Sequence, residues 1–269
     1  MAILRGDKLA DKINKQTKAE IKKLKIKPGL AAILIGNNSA SKLYVSIKKQ
    51  EAKKIGVNFY EYHFSTKIKE KEIIKTINLL NKDKNIHGII VQLPLPKKFN
   101  TNKIIQSINP KKDVDGFNRK NIVVSPLVSG SIELLKLTKQ NLKNKSAVII
   151  SKSKIFTDSF KAELKNKQIK TIWVKEINKN TVQKIKQSDI AIIALGKRKI
   201  LKAQMIKKGA IVIDIGINKF KGKTIGDVDF EKVKNKASYI TPVPKGVGPM
   251  TVAILMKNVV ALTKRDYMS

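Results

Sequence analysis

The chain is expected to fold as a two-domain α/β protein, an N-terminal α/β domain followed by a Rossmann-like domain with a parallel sheet. Three observations predict this. Short apolar runs alternate with polar stretches of helical length throughout, the pattern of a largely parallel sheet. The 269 residues amount to one or two domains at about 150 residues each. Finally, the alternation starts afresh at Ser146-Ala147-Val148-Ile149-Ile150 and continues with the rhythm of a nucleotide-binding domain.

Taken in order, residues 7–24 are expected to be helical, and Pro28-Gly29 separates them from an apolar strand at 30–35. Residues 39–55 contain no Pro or Gly and stop at Gly56, which predicts the next helix. A strand at 57–64, a helix at 69–81, a strand at 89–91 and a short helix at 102–108 follow, the last broken by Asn109-Pro110. A helix over 131–142 links to the second half, where strands are expected at 169–174, 189–194 and 210–215 after the one at 146–150. The last apolar stretch, 251–262, is expected to be helical after Pro249. No run of 18 apolar residues occurs, so no membrane span is expected.

Composition excludes several kinds of chemistry. The chain has no cysteine, so disulfides, thiolate catalysis and cysteine metal sites are ruled out. Two histidines, His63 and His87, are too few for a His-based metal cluster; a metal-free protein is expected, with both histidines structural. The start, Met1-Ala2-Ile3-Leu4-Arg5-Gly6-Asp7, lacks the apolar stretch and small-residue cleavage site of a signal peptide, which predicts a cytoplasmic location. The charge is extreme: 57 Lys+Arg against 20 Asp+Glu leave +37. A nucleic-acid surface gathers such charge into a patch with aromatics between. Here the lysines are scattered over every segment and aromatics make up only 5%. The excess is almost all lysine in a chain also rich in Ile and Asn, a bias of AT-rich codons. Nucleic acid is therefore expected to bind only non-specifically, while anionic small molecules find the field favourable.

Three islands gather polar groups where the local pattern predicts burial: Tyr44-Val45-Ser46-Ile47-Lys48, Val91-Gln92-Leu93-Pro94-Leu95-Pro96 and Asp113-Val114-Asp115-Gly116-Phe117. Tyr44 and Lys48 stand at i and i+4, on one helix face. Gln92 follows the apolar run Gly88-Ile89-Ile90-Val91, and the carboxyl ends of strands are where ligands bind in open α/β sheets. An amine, a phenol, an amide and a carboxylate around one strand end suit a small molecule. Each has a plainer reading: Lys48 as one surface lysine among many, Gln92 as a strand-end residue satisfying backbone, Asp115 as a turn residue before Gly116, Tyr44 as core packing.

With Gly36 and Ser39-Ala40-Ser41 before them, these blocks resemble the bifunctional methylenetetrahydrofolate dehydrogenase/methenyltetrahydrofolate cyclohydrolase family. The resemblance continues through Ile213-Asp214-Ile215-Gly216-Ile217-Asn218, Gly226-Asp227-Val228-Asp229-Phe230 and Thr241-Pro242-Val243-Pro244-Lys245-Gly246-Val247-Gly248-Pro249-Met250-Thr251, in one order over nearly the whole chain. It implies a folate-binding catalytic domain over 1–120, onto which the C-terminal helix 250–269 packs back, and an NADP-binding domain over 121–249. It implies NADP-dependent oxidation of 5,10-methylenetetrahydrofolate, hydrolysis of the methenyl product to 10-formyltetrahydrofolate, and a homodimer. Lys48, Tyr44 and Gln92 are the implied catalytic residues. Substrate contacts fall on Tyr44, Lys48, Val91, Gln92, Leu93, Asp115, Gly246, Val247, Gly248 and Pro249. Cofactor contacts fall on Ser151, Lys152, Ser153, Gly196 and Ile217.

The cofactor half departs from the family pattern. Where a Gly-Arg-Ser start and a later Gly-x-Pro are expected, the chain has Ser151-Lys152-Ser153-Lys154-Ile155-Phe156-Thr157-Asp158-Ser159. Both glycines are gone, and Asp158 is expected to bring negative charge to a phosphate turn. A His-Ser-Arg-Thr stretch becomes Lys175-Glu176-Ile177-Asn178, a Pro-Cys-Thr-Pro turn becomes Pro126-Leu127-Val128-Ser129-Gly130, and the first glycine of Pro-Gly-Gly-Val-Gly is Lys245. Two further readings follow: a cyclohydrolase with weakened or lost NADP binding, and a non-catalytic basic nucleic-acid-binding protein.

Overall fold

The computed structural model describes residues 1–268. The chain opens with β1 (Ala2–Ile3) and α1 (Gly6–Lys22), followed by β2 (Gly29–Ile35), α2 (Ser39–Ile55), β3 (Asn58–Phe64), α3 (Glu70–Lys82), β4 (Gly88–Val91) and α4 (Thr101–Gln106). Next come α5 (Pro126–Lys136), β5 (Ser146–Ser151), α6 (Lys154–Asn166), β6 (Lys170–Val174), α7 (Lys179–Gln187), β7 (Ile190–Ala194) and β8 (Ile211–Asp214). A hairpin of β9 (Asn218–Phe220) and β10 (Lys223–Ile225) precedes α8 (Phe230–Val233), β11 (Tyr239–Ile240) and α9 (Val247–Met268). The chain divides into two compact units, one of residues 10–126 with the chain from 252 on, the other of residues 1–9 and 127–251.

In the first unit a three-stranded sheet runs β3-β2-β4, parallel throughout. Its central strand is buried on both faces, and the period of two sorts its side chains. Leu30 and Ala32 join a core with Ala52 and Ile55 of α2 and Val252, Leu255, Met256 and Val259 of α9. Ala31, Ile33 and Ile35 join the other core, with Ile73, Ile77 and Leu80 of α3 and Ile104 of α4. Among the described helices α9 alone is long and apolar enough to cross a membrane, but its residues from 252 to 262 are mostly buried in this core.

The second unit carries a six-stranded sheet in the order β1-β11-β8-β7-β5-β6, all parallel. The chain leaves β5 for β6 on one side and then crosses to β7 on the other. That reversal is a topological switch point, whose carboxyl-end crevice is where doubly wound sheets bind ligands.

Several expectations change. Residues 1–9 fall in the second compact unit, where Ala2 and Ile3 pair with Tyr239 and Ile240. A two-residue strand carries no readable periodicity. The linking helix spans 126–136, not 131–142. Pro126 is its first residue, where a missing N–H costs nothing, so the segment 126–130 is helix and not a turn. Likewise α9 begins at Val247, with Pro249 inside its first turn.

Candidate active site

The site in the first unit is built on the N-terminal half of α2 and the end of β4. The Asn38 side chain accepts from the Ser41 N–H (3.0 Å), and Gly56 closes the helix at φ +97°, its N–H donating to the Ala52 carbonyl. Between these caps, Tyr44 is half-buried and Lys48 is only 8% exposed. Lys48 Nζ donates to Gln92 Oε1 at 3.0 Å, while Gln92 Nε2 donates to the Leu93 carbonyl at 2.7 Å. The second bond fixes which end of the amide faces the amine. Strand β4 thus delivers Val91, Gln92 and Leu93 to its carboxyl end, as the apolar run predicted.

Burial pushes the Lys48 amine below its ordinary value, and Asp115 pulls it part of the way back. Burial likewise pushes the Asp115 carboxyl up, opposed by Lys48. The structure therefore brings Lys48, Gln92, Tyr44 and Asp115 into one unit, with Lys48 and Asp115 electrostatically coupled. Burial raises the Tyr44 phenol as well. An amine of lowered basicity, oriented by an amide and set beside a carboxyl group, accepts and returns a proton more readily than an exposed lysine.

Two residues of the quoted blocks to which the sequence reading gave no role are buried here. Asp113, 1% exposed, accepts from Gly116 N (3.0 Å) and Asn118 N (2.6 Å) and so shapes the turn that carries Asp115. Burial pushes its carboxyl up to about 6. Ser41, three residues before Tyr44, is buried and its Oγ has no hydrogen-bond partner. Its place one turn before Tyr44 on the same helix was the available signal. His87 and His63 have backbone partners: His87 Nδ1 accepts from Gly29 N (3.0 Å), and His63 Nε2 lies 2.8 Å from the Gly36 carbonyl.

In the second unit, the predicted cofactor residues all lie at carboxyl ends of the sheet. Ser151 ends β5, and Lys152 and Ser153 link it to α6; Gly196 follows β7, and Ile217 follows β8. The loop Gly246-Val247-Gly248-Pro249 follows β11 and begins α9. Two buried carboxylates clamp the loops after β7 and β8. Asp214 accepts from Gly216 N (2.9 Å), Asp227 N (3.1 Å) and Val228 N (2.9 Å), and burial raises its carboxyl to about 7. Asp227 in turn accepts from Leu195 N, Gly196 N and Lys197 N at 2.6, 2.9 and 2.8 Å. Gly226 has no room for a side chain, since a Cβ would lie 1.9 Å from Asp214 Oδ2. That explains the Gly226-Asp227 pair.

The β5–α6 turn fits the diphosphate of a dinucleotide. Two residues join strand to helix, the first turn of α6 holds no acid, and a helix N-terminus of this kind favours an anion, although the Ser153 side chain already takes the Phe156 N–H. The substitutions are absorbed in a way the sequence did not indicate. Asp158 lies in the second turn and is ion-paired to Lys154, so it does not sit at the anion end of the helix. Thr157 is fully buried inside α6, its Oγ1 donating to the Ser153 carbonyl (2.9 Å). Ser151 does alter the turn: its Oγ accepts from Ser153 N (3.0 Å) and occupies a donor that glycine would leave free. Arg198 stacks on Phe220 of β9, 3.6 Å from the ring centre.

Comparison with known proteins agrees with this geometry. Residues 4–115 match the family model of the tetrahydrofolate dehydrogenase/cyclohydrolase catalytic domain, and residues 126–267 match that family's NAD(P)-binding domain. The chain is 42% identical to the bifunctional protein FolD of Nautilia profundicola, covering 98% of each chain. The bifunctional FolD structure from Campylobacter jejuni superposes with a TM-score of 0.93 at 39% identity, covering 99% of each chain. The Trypanosoma brucei FolD, solved with NADP cofactor and an inhibitor, superposes at 0.93 with 27% identity, over 100% of this chain and 99% of that one. The chain belongs to the tetrahydrofolate dehydrogenase/cyclohydrolase family.

Proposed function

We propose that the chain catalyses both reactions of its family: oxidation of 5,10-methylenetetrahydrofolate with NADP, and hydrolysis of the methenyl product to 10-formyltetrahydrofolate. The observation that carries this reading is the buried Lys48 amine bonded at 3.0 Å to Gln92. NADP, when bound, accepts a hydride; the remaining chemistry is proton transfer on the folate. In hydrolysis, water adds to the cationic one-carbon bridge and its oxygen loses both protons, one to solvent and one to the ring nitrogen as that nitrogen's bond to the carbon breaks. Lys48 carries the proton, Gln92 holds its amine in place, and Tyr44 orients it and covers the pterin face. Asp115 accepts hydrogen bonds from the pterin amino and ring N–H groups. Val91 and Leu93 border the folate beside Gln92, and Gly246, Val247, Gly248 and Pro249 are assigned to substrate on the matching loop alone. Ser151, Lys152, Ser153, Gly196 and Ile217 are assigned to the cofactor.

The protein is read as a cytoplasmic homodimer. Strand β3 is bonded to β2 on one side only, and an unpaired edge is a template for a second strand. A monomeric mass in sedimentation equilibrium would remove the dimer. The function is tested by two assays on one preparation: appearance of reduced cofactor from the methylene substrate, and decay of methenyl absorbance. Absence of both activities sinks the reading.

A further inference from the structure

The carboxyl end of β6 holds a group that the proposed function does not use. Ile150 of β5 pairs in register with Val174 of β6, so Lys152 and Glu176 each lie two residues beyond that last pair. Glu176 is exposed, and its Oε1 accepts from Asn178 Nδ2 at 3.1 Å. Asn178 is itself held as the cap of α7 by bonds from Asn180 N and Thr181 N. The carboxylate thus stands on a fixed support. Trp173 ties the two strand ends together, its Nε1 donating to the Ser151 carbonyl at 2.7 Å. In a doubly wound sheet, a dinucleotide whose diphosphate sits at the first strand–helix turn places its adenosine ribose over the end of the second strand. An acid there bonds the ribose 2′-hydroxyl and repels a 2′-phosphate.

We propose that Glu176 reads the 2′-hydroxyl of the adenosine ribose, so that this enzyme accepts NAD alongside NADP. The inference rests on the dinucleotide site of the proposed function. The local charge is mixed, which is why NADP is retained. Lys152 faces the same strand end, and the ammonium groups of Lys161 and Lys175 lie 5.4 and 5.2 Å from the centre of the Trp173 ring. These cations attract the phosphates of either cofactor, whereas Glu176 distinguishes between them.

Trp173 is the single tryptophan of the chain, so its fluorescence reports cofactor binding without turnover. Titration of NAD and NADP into wild-type protein and into Glu176→Ser measures the ratio of the two dissociation constants. The substitution should shift that ratio toward NADP by about tenfold or more, since it removes repulsion from one ligand and a bond to the other. Glu176→Gln, which keeps a partner for Asn178, should recover NADP affinity without changing helix content. Glu176→Asp should stay close to wild type in its ratio. A ratio that moves by less than about threefold in Glu176→Ser, in a folded protein, overturns the assignment. Binding of neither cofactor to wild-type protein overturns the dinucleotide site, and this inference with it.

Discussion

The carboxyl ends of β4, an edge strand of its sheet, and of β5, an inner strand of the other, each carry a candidate site, and they match the family blocks to opposite degrees. At β4, the side chains the chemistry needs are all present: Lys48, Gln92 and Asp115 match the family blocks and are held by their own hydrogen bonds or by a clamped turn. At β5, both glycines of the turn are replaced, and the structure accommodates the replacements with local bonds, Ser151 to Ser153 and Lys154 to Asp158. A site that acts through side-chain chemistry tolerates no change of residue type at those positions. A site that acts through backbone N–H groups and a helix terminus keeps its donors under many side chains. The two halves should accordingly respond differently to mutation.

The largest effect is expected at Lys48. Lys48→Ala should slow methenyltetrahydrofolate hydrolysis by about 10²–10⁴-fold, the usual contribution of a positioned proton carrier. Dinucleotide binding, followed by Trp173 fluorescence, should be unchanged, because that site belongs to the other unit. A folded variant that keeps most of its hydrolysis rate would remove Lys48 from the mechanism.

Next comes Asp115. Asp115→Asn should weaken binding of a tetrahydrofolate analogue by about 1.5–3 kcal/mol, the loss of a hydrogen bond to a charged group. It should also move the pH profile. Lys48 must be neutral to take a proton, so hydrolysis rises with pH toward the lowered pKa of its amine. Asp115 holds that pKa up, and removing its charge lowers it further, so the rising limb should shift to lower pH. Calorimetry and methenyl decay across pH check the two parts. An unchanged affinity returns Asp115 to the status of a turn residue, and an unmoved limb uncouples it from Lys48.

The cofactor turn should respond less, and in the opposite sense. Ser151→Gly releases the Ser153 N–H, and a free backbone donor is worth about 1 kcal/mol, roughly fivefold in affinity for NADP or NAD. Thr157→Gly should do the reverse of what the family pattern suggests, costing about 1 kcal/mol of stability by placing glycine inside a buried helix. Fluorescence titration and thermal unfolding separate them. Equal gains in affinity from both would mean that the turn, not its hydrogen bonding, is what changed.

Much of this arrangement was legible in the sequence, and the remainder fails for identifiable reasons. Helix α2 was readable to its last residue because Asn38 and Gly56 cap an uninterrupted stretch. The Lys48–Gln92 bond was implied by the blocks, but its distance depends on how α2 lies along β4, which no local pattern encodes. Asp113 looks like any turn aspartate until its two backbone partners are seen. Asp158 misled because helix phase decides whether an acid meets the anion or a lysine one turn before it. Strands β1 and β11 were missed because two residues each cannot show alternation, and only parallel pairing defines them, Ala2 with Tyr239 and Tyr239 with Ile211.

The smallest effect tests whether a departure from the family pattern leaves strain behind. Lys245 stands where the pattern has glycine, and its φ is +79°, in the left-handed region. A non-glycine residue there costs about 1–2 kcal/mol, because its Cβ crowds the following carbonyl. Glycine relieves that strain but frees the unfolded chain, which returns about 0.4–1 kcal/mol. Lys245→Gly should therefore stabilise the protein by about 0–1.6 kcal/mol, read as a higher denaturation midpoint with an unchanged slope. The Lys245 carbonyl also accepts from Asp7 N at 3.2 Å, so the loop has an anchor that the substitution keeps. A destabilised Lys245→Gly would mean that the lysine side chain contributes contacts worth more than the strain. The second unit would then have absorbed its substitutions completely, and Ser151 alone would distinguish it from the family pattern in energy.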